Sequence, residues 1–338
     1  MKIAISIFCF FYSAVSFAQL NLIDSLGFRH VQVVFRNDTV DVLVKSKKGD
    51  ERKTKPLFLF CQGSLPIPLV VTYNDNGQKG NYPVFVFNTD SLATDYHLVI
   101  IGKPGIPVVA EQVRLNPDLG YADPAGLAPE KYTTQNFPGF YEARNINVLD
   151  HLRKQPWVSK KELVIAGHSE GSVIAARIAA SYRPVTALIF SGGNPLGRIS
   201  TILARARMNE TDSNRITENI FEYWQQVIES PASTGNNGGD TNKSLFSFSH
   251  PAPIEYLKKM SIPVLITYGS RDYGSVQGMD YLRLEAIRLR KTNFTFRDYF
   301  GLDHNFFPVK PDGSSDYNVF NWDRVAGDWR KWLQTSAR

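Results

Sequence analysis

The chain predicts an α/β fold: a doubly wound, mostly parallel sheet flanked by helices, with a helical insertion lying over one sheet edge. Three observations carry this expectation. From residue 140 onward, short apolar runs alternate with segments of helical spacing, the pattern of parallel strands joined by right-handed crossovers. The segment Leu163-Val164-Ile165-Ala166-Gly167-His168-Ser169-Glu170-Gly171 runs from an apolar strand through G-x-S-x-G into a helix. The 338 residues, 43% hydrophobic and 21% charged, can bury a large core and are incompatible with wholesale disorder.

The N-terminal residues 1–18 place Lys2 before an apolar stretch and end on small Ser16 and Ala18, which reads as a secretory signal peptide. The stretch is short for a membrane span of about 20 residues. Cleavage after Ala18 would remove Cys9 and leave Cys61 as the sole cysteine, so no intramolecular disulfide is expected. No later stretch is apolar enough to cross a bilayer. The expected product is therefore exported, periplasmic or extracellular.

Next, residues 30–36 and 40–45 flank Asn37-Asp38-Thr39 and predict a hairpin, while the continuously apolar residues 57–61 suit a strand buried on both faces. The run 45–55 mixes lysines with Asp50 and Glu51 and reads as a solvated loop. Residues 96–101 form a second buried strand, followed by a long Gly/Pro-rich excursion through Phe140. Apolar positions Ala143, Ile146, Leu149 and Leu152 predict a helix over 140–152. A strand over 162–166, a small-residue helix over 171–180 and a strand over 186–190 follow.

The alternation breaks over 193–260. There Ile216, Ile220, Trp224 and Val227 mark an amphipathic helix, and residues 231–244 a polar loop whose stretch 236–240 is expected to be a mobile edge. This insertion reads as a cap whose Ile216/Ile220/Trp224 face meets the pocket mouth, with packing or dimerisation as the alternative. The core thus divides into 19–192 and 261–338. Its second part holds a strand at 263–267, an Arg-rich helix at 281–291, a strand at 293–299, and a final helix with Trp322, Val325, Trp329 and Trp332 facing the core.

A serine hydroxyl needs a neutral imidazole to take its proton and an acid to orient that imidazole. The strand ends supply both: Asp272 follows the strand at 263–267, and His304 follows that at 293–299. His250 is the rival base and Asp303 the rival acid. The glycines at 167 and 171 allow the sharp turn that exposes Ser169 at the start of a helix. There the N–H of Glu170 can meet an oxyanion. A second donor is assigned to Ser64, with Gly63 or Leu65 as alternatives, because Cys61-Gln62-Gly63-Ser64 directly follows a buried strand.

Together GHSEG at 167–171, YGSRD at 268–272 and GLDH at 301–304 resemble the serine hydrolases of the α/β-hydrolase fold, especially secreted esterase-like and serine-aminopeptidase-like members. The resemblance spans nearly the whole chain after residue 18. It implies an eight-stranded sheet, a mobile helical cap after the sixth strand, and hydrolysis of esters or amides through an acyl-enzyme. Two departures stand out. Gln62-Gly63 occupies the place of a common His-Gly pair, and Gly171-Ser172 replaces the paired glycines of the prolyl-peptidase branch.

The expected activity is hydrolysis of a carboxylic ester. A peptidase or amidase acting on short peptides is the alternative, with Glu111, Glu142 and Glu170 as candidates for an amine-binding acidic subsite. A noncatalytic binding protein on the same fold is the third possibility. Aromatic Tyr121, Phe137, Phe140, Tyr141, Phe306 and Phe307 near the expected active edge suggest an apolar pocket. The partner is a small acyl ester or short peptide. Lys and Arg number 38 against 32 Asp and Glu, but the signs intermix, so no nucleic acid is required. Lacking H-E-x-x-H, spaced Cys/His clusters and a phosphate-binding glycine loop, the sequence calls for no metal and no cofactor.

Overall fold

The computed structural model describes residues 19–235 and 240–336. The expected signal peptide, residues 1–18, and most of the expected mobile stretch, residues 236–239, lie outside the described residues.

The hairpin pairs β1 (Phe28–Phe35) with β2 (Asp38–Lys45) in antiparallel register. β3 (Lys55–Cys61) precedes a small second sheet made by β4 (Val70–Asp75), β5 (Gln78–Pro83) and β7 (Val109–Glu111). That sheet was not anticipated: β5, QKGNYP, is polar and mostly exposed, so it lacks the apolar alternation by which strands are recognised. The main sheet continues through β6 (His97–Ile101), β8 (Val158–His168), β9 (Ala187–Ser191), β10 (Val264–Gly269) and β11 (Phe294–Tyr299). Its eight strands are ordered β1-β2-β6-β3-β8-β9-β10-β11, and every pair from β6 to β11 is parallel. The expected doubly wound architecture is therefore observed.

Burial on both faces explains the apolar runs. In β3, Leu57 and Leu59 enter one core while Phe58 and Phe60 enter the other. The first core packs against α1 (Pro138–Leu152) and α2 (Glu170–Ser181), the second against α7 (Trp322–Ser336), whose Trp322, Val325 and Trp329 are buried as expected. Between β9 and β10 lie α3 (Arg198–Asn209), α4 (Ile216–Glu229) and α5 (Asn242–Ser249), so the insertion is helical. α6 (Val276–Arg288) connects β10 to β11 and begins earlier than the Arg-rich pattern suggested.

Register brings the carboxyl ends of the central strands into line. Cys61 pairs with Gly167, His168 with Ser191, Ser191 with Thr267, and Gly269 with Tyr299. The loops leaving those strands consequently share one edge, where ligands bind in open parallel sheets.

Candidate active site

Ser169 sits between β8 and α2 with φ 57° and ψ −126°, a strained conformation for a residue with a side chain. Its N–H is held by the carbonyl of Ser191 at 2.9 Å. The flanking glycines are sterically required: a Cβ on Gly171 would lie 2.0 Å from the Cys61 carbonyl oxygen, and one on Gly167 would lie 2.0 Å from that of Gly171.

His304, from the loop after β11, places Nε2 3.0 Å from Ser169 Oγ. Its Nδ1 is 2.7 Å from Asp272 Oδ2. Asp272 is almost wholly buried in the loop after β10. Burial pushes its carboxyl up, but the charge and hydrogen bond of His304 and the hydroxyl of Ser275 outweigh this and hold it below its ordinary value. An ionised Asp272 can therefore keep His304 in the tautomer whose Nε2 accepts the serine proton. Ser169, Asp272 and His304 are thus brought together.

The rivals are engaged elsewhere. Asp303 accepts from the N–H groups of Asn305 and Phe307 and from Ser315, which ties up its own loop. His250 is exposed at the end of α5 and stacks near Phe246. His30 pairs with Asp41, and buried His97 bonds Ser46. His168 packs against Trp322 and Phe306 with its ring 4.9 Å from that of His304, forming a floor beneath the base. Burial, reinforced by His304, lowers His168 to about 3, so the floor is uncharged.

Both candidate oxyanion segments lie at the nucleophile. The Glu170 N–H opens α2 and donates to nothing among the described residues. On the other side, Gly63 approaches so closely that an added Cβ would lie 3.6 Å from Ser169 Cβ. The N–H groups of Gly63, Ser64 and Leu65 likewise have no acceptor among the described residues. The Ser64 carbonyl is anchored by Lys103 Nζ at 2.9 Å and by the Tyr132 hydroxyl.

Lys103 was not anticipated, because a lysine at the start of a Pro/Gly loop reads as a surface residue. It is buried, which lowers its pKa against the opposing pull of Glu170, whose Oε1 lies 3.5 Å away. Glu170 Oε2 lies 3.6 Å from Arg198, which also pairs with Asp240. Glu170 is therefore flanked by two cations. Glu142 pairs with Arg177 at 2.9 Å, and Glu111 is exposed outside the cavity lining. None of the three is an unengaged acid at the site.

A cavity of about 480 Å³ opens above Ser169 and His304. The six aromatic residues expected to line it do not. Tyr141 and Phe306 are buried in the two cores, and Phe140 is buried against Phe35 and Phe137. The apolar wall comes instead from residues such as Phe60, Val84, Val86, Ile202 and Phe248. The expected Ile216/Ile220/Trp224 face is also absent from the lining. Trp224 stacks on Phe246, and α3 covers the cavity in its place. In α3, RISTILARARMN, Ile199, Ile202, Leu203 and Ala206 stand at helical spacing, but nothing local in the chain says which helix of the insertion faces the cavity.

Fold and geometry define an α/β-hydrolase-fold protein. Similar solved structures include Pyrococcus horikoshii acylaminoacyl peptidase (TM-score 0.57, 13% identity, covering 94% of this chain and 43% of that one). Porphyromonas gingivalis dipeptidyl peptidase 4 aligns with TM-score 0.54 and 12% identity over 91% of this chain and 35% of its own. Est1E from Butyrivibrio proteoclasticus, with ferulic acid bound, aligns with TM-score 0.56 and 14% identity over 90% of this chain and 98% of its own. The chain therefore spans less than half the length of these two peptidases. No protein-family model matches the chain. No curated protein matches it in sequence either.

Proposed function

We propose that this protein is a serine hydrolase that cleaves a carboxylic ester through an acyl-enzyme on Ser169. The observation that carries this is the continuous chain Asp272 Oδ2, His304 Nδ1, His304 Nε2, Ser169 Oγ, with separations of 2.7 and 3.0 Å across its two hydrogen bonds. As Ser169 Oγ bonds the acyl carbon, its proton passes to His304 Nε2. The carbonyl electron pair moves onto oxygen and is met by the N–H of Glu170 and that of Ser64. Collapse breaks the ester C–O bond, and His304 returns its proton to the departing alcohol. Water then gives a proton to His304 as its oxygen attacks the acyl carbon; collapse releases the acid and restores Ser169. Asp272 stays ionised throughout.

Two peptidases among the similar structures favour amide cleavage as the second reading. Against it, a substrate ammonium would have to compete with Lys103 and Arg198 for Glu170. Fluorophosphonate labelling of folded protein, with Ser169→Ala as control, tests the nucleophile; a folded protein that forms no adduct on Ser169 is not a serine hydrolase. Parallel turnover of p-nitrophenyl acyl esters and aminoacyl-p-nitroanilides then ranks ester against amide. Faster anilide cleavage reverses the assignment.

Export belongs to the same proposal and rests on the signal-like pattern of residues 1–18. N-terminal sequencing of protein produced in its own host is expected to begin at Gln19. An N-terminus still carrying residues 1–18 on protein retained inside the cell rejects export.

A further inference from the structure

Helix α3 turns one stripe toward the cavity over Ser169. Arg198, Thr201, Ile202 and Arg205, at i, i+3, i+4 and i+7, all line it. The two arginines differ in their surroundings. Arg198 is committed to Asp240 and lies beside Glu170. Arg205 has no acidic partner among the described residues, and the acid closest to it in sequence, Glu210, is taken by Arg207 and Thr217.

The stem of Arg205 lies against the site itself. A Cβ on Gly274 would lie 2.9 Å from Arg205 Nε and 3.0 Å from Thr201 Cγ2, so the arginine side chain passes directly against the backbone of this glycine. Gly274 lies between the acid Asp272 and the Ser275 that bonds it, and its carbonyl accepts from Asn194 Nδ2 at 2.9 Å. Arg205 is exposed, and its guanidinium end lies beside the loop that carries Asp272, on the wall of the cavity.

The charges around this wall define a ligand. Lys103 and Arg198 pair with Glu170 and Asp240, and Asp272, the other acid of the lining, is held by His304 and Ser275, which leaves Arg205 as the cation of this wall with no carboxylate beside it among the described residues. One planar guanidinium matches one carboxylate in charge and in geometry, whereas a phosphate dianion calls for more positive charge. We infer that Arg205 selects substrates carrying a free carboxylate distant from the scissile acyl carbon, on either the acyl or the leaving-group side. This rests on Ser169 being the acyl-transfer nucleophile proposed above, and assigns the substrate class of that same site.

The test uses two matched pairs of esters. On the acyl side, the mono-p-nitrophenyl ester of adipic acid is compared with its methyl ester. On the leaving-group side, 4-carboxyphenyl butyrate is compared with its methyl ester. The wild-type kcat/KM is expected to favour the free acid by about tenfold or more in at least one pair, with the preference shrinking as salt is added. In Arg205→Gln the acid-to-methyl-ester ratio is expected to fall by about 10- to 100-fold, and Arg205→Lys to retain part of it. The pair that responds identifies which side carries the carboxylate.

Equal turnover of acid and methyl ester in both pairs overturns the inference. So does an unchanged ratio in Arg205→Gln, which leaves the arginine a merely structural role. Failure to turn over any of the four esters also overturns it, and fluorophosphonate labelling then decides separately whether the hydrolase proposal falls with it.

Discussion

His304 and Ser275 converge on the same oxygen of Asp272: His304 Nδ1 lies 2.7 Å from Oδ2, and the Ser275 hydroxyl donates to it as well. The acid is thus held by its own loop before it orients the base. Ser275→Ala removes one of the interactions that lower the Asp272 pKa, so that pKa rises. Because Asp272 must be ionised to act, activity at the acid end of the kcat/KM profile is expected to fall relative to wild type, while activity at neutral pH, where the carboxyl stays ionised, is largely kept. A loss that is the same at every pH excludes this role for Ser275.

Replacing the nucleophile separates chemistry from strain. Ser169→Ala is expected to lower kcat by about 10⁴-fold or more. Ser169→Gly loses the same hydroxyl but accepts φ 57° without penalty, so it is expected to be more stable than Ser169→Ala by about 1 kcal/mol. Urea unfolding of the two inactive variants measures the difference. Equal midpoints would mean that the turn stores no strain.

Acid stability reports the uncharged His168. Its pKa falls from 6.5 in an ordinary histidine to about 3 here, so the unfolded chain binds a proton that the folded chain refuses between those values. Its contribution is fully present above about pH 6.5 and is lost as pH falls toward 3. At pH 4.5 the loss from this group is about 2–3 kcal/mol. His168→Gln removes the titration, and its stability is expected to vary less steeply between pH 6.5 and 4.5. Parallel stability curves for variant and wild type refute the assignment.

Lys103 and Glu170 are coupled through burial. Lys103→Met leaves the Glu170 carboxylate with Arg198 as its remaining close cation and the Ser64 carbonyl with only the Tyr132 hydroxyl, at an expected cost of about 3 kcal/mol. Adding Glu170→Gln removes the stranded charge and is expected to recover roughly half of that cost. A double-mutant cycle by chemical denaturation checks this, and strictly additive effects exclude the coupling.

Gly171→Ala tests the elbow itself. The new Cβ would meet the backbone of Cys61 and Gln62, which cannot rotate away as a side chain could. A loss of about 3 kcal/mol or more is expected, or failure to accumulate folded protein. Wild-type thermal stability in this variant would show that β3 and α2 can separate without cost.

Much of the sheet, and the strand ends at which Ser169, Asp272 and His304 meet, were legible beforehand for a shared reason. Strands buried on both faces write continuous apolar runs, so β3, β6, β8, β9 and β10 announce themselves, and Gly167, Ser169 and Gly171 mark one strand end unmistakably. Asp272 and His304 then follow from their places after later strands. The cavity was far less legible. Phe140, Tyr141 and Phe306 look like pocket aromatics in the chain, yet the fold buries them.

The chain alone was sufficient for the alternation of strands and helices and for singling out Ser169, Asp272 and His304 at strand ends, because periodicity and residue chemistry are local properties. Only the folded molecule decided that α3, and not the Ile216/Ile220/Trp224 face, covers the cavity, that Lys103 is buried against Glu170, and that Arg205 rests on Gly274 without an acidic partner among the described residues. These depend on which distant segments share a volume. Contacts of that kind balance burial against charge across the whole structure, and no short window of sequence contains both sides of the balance.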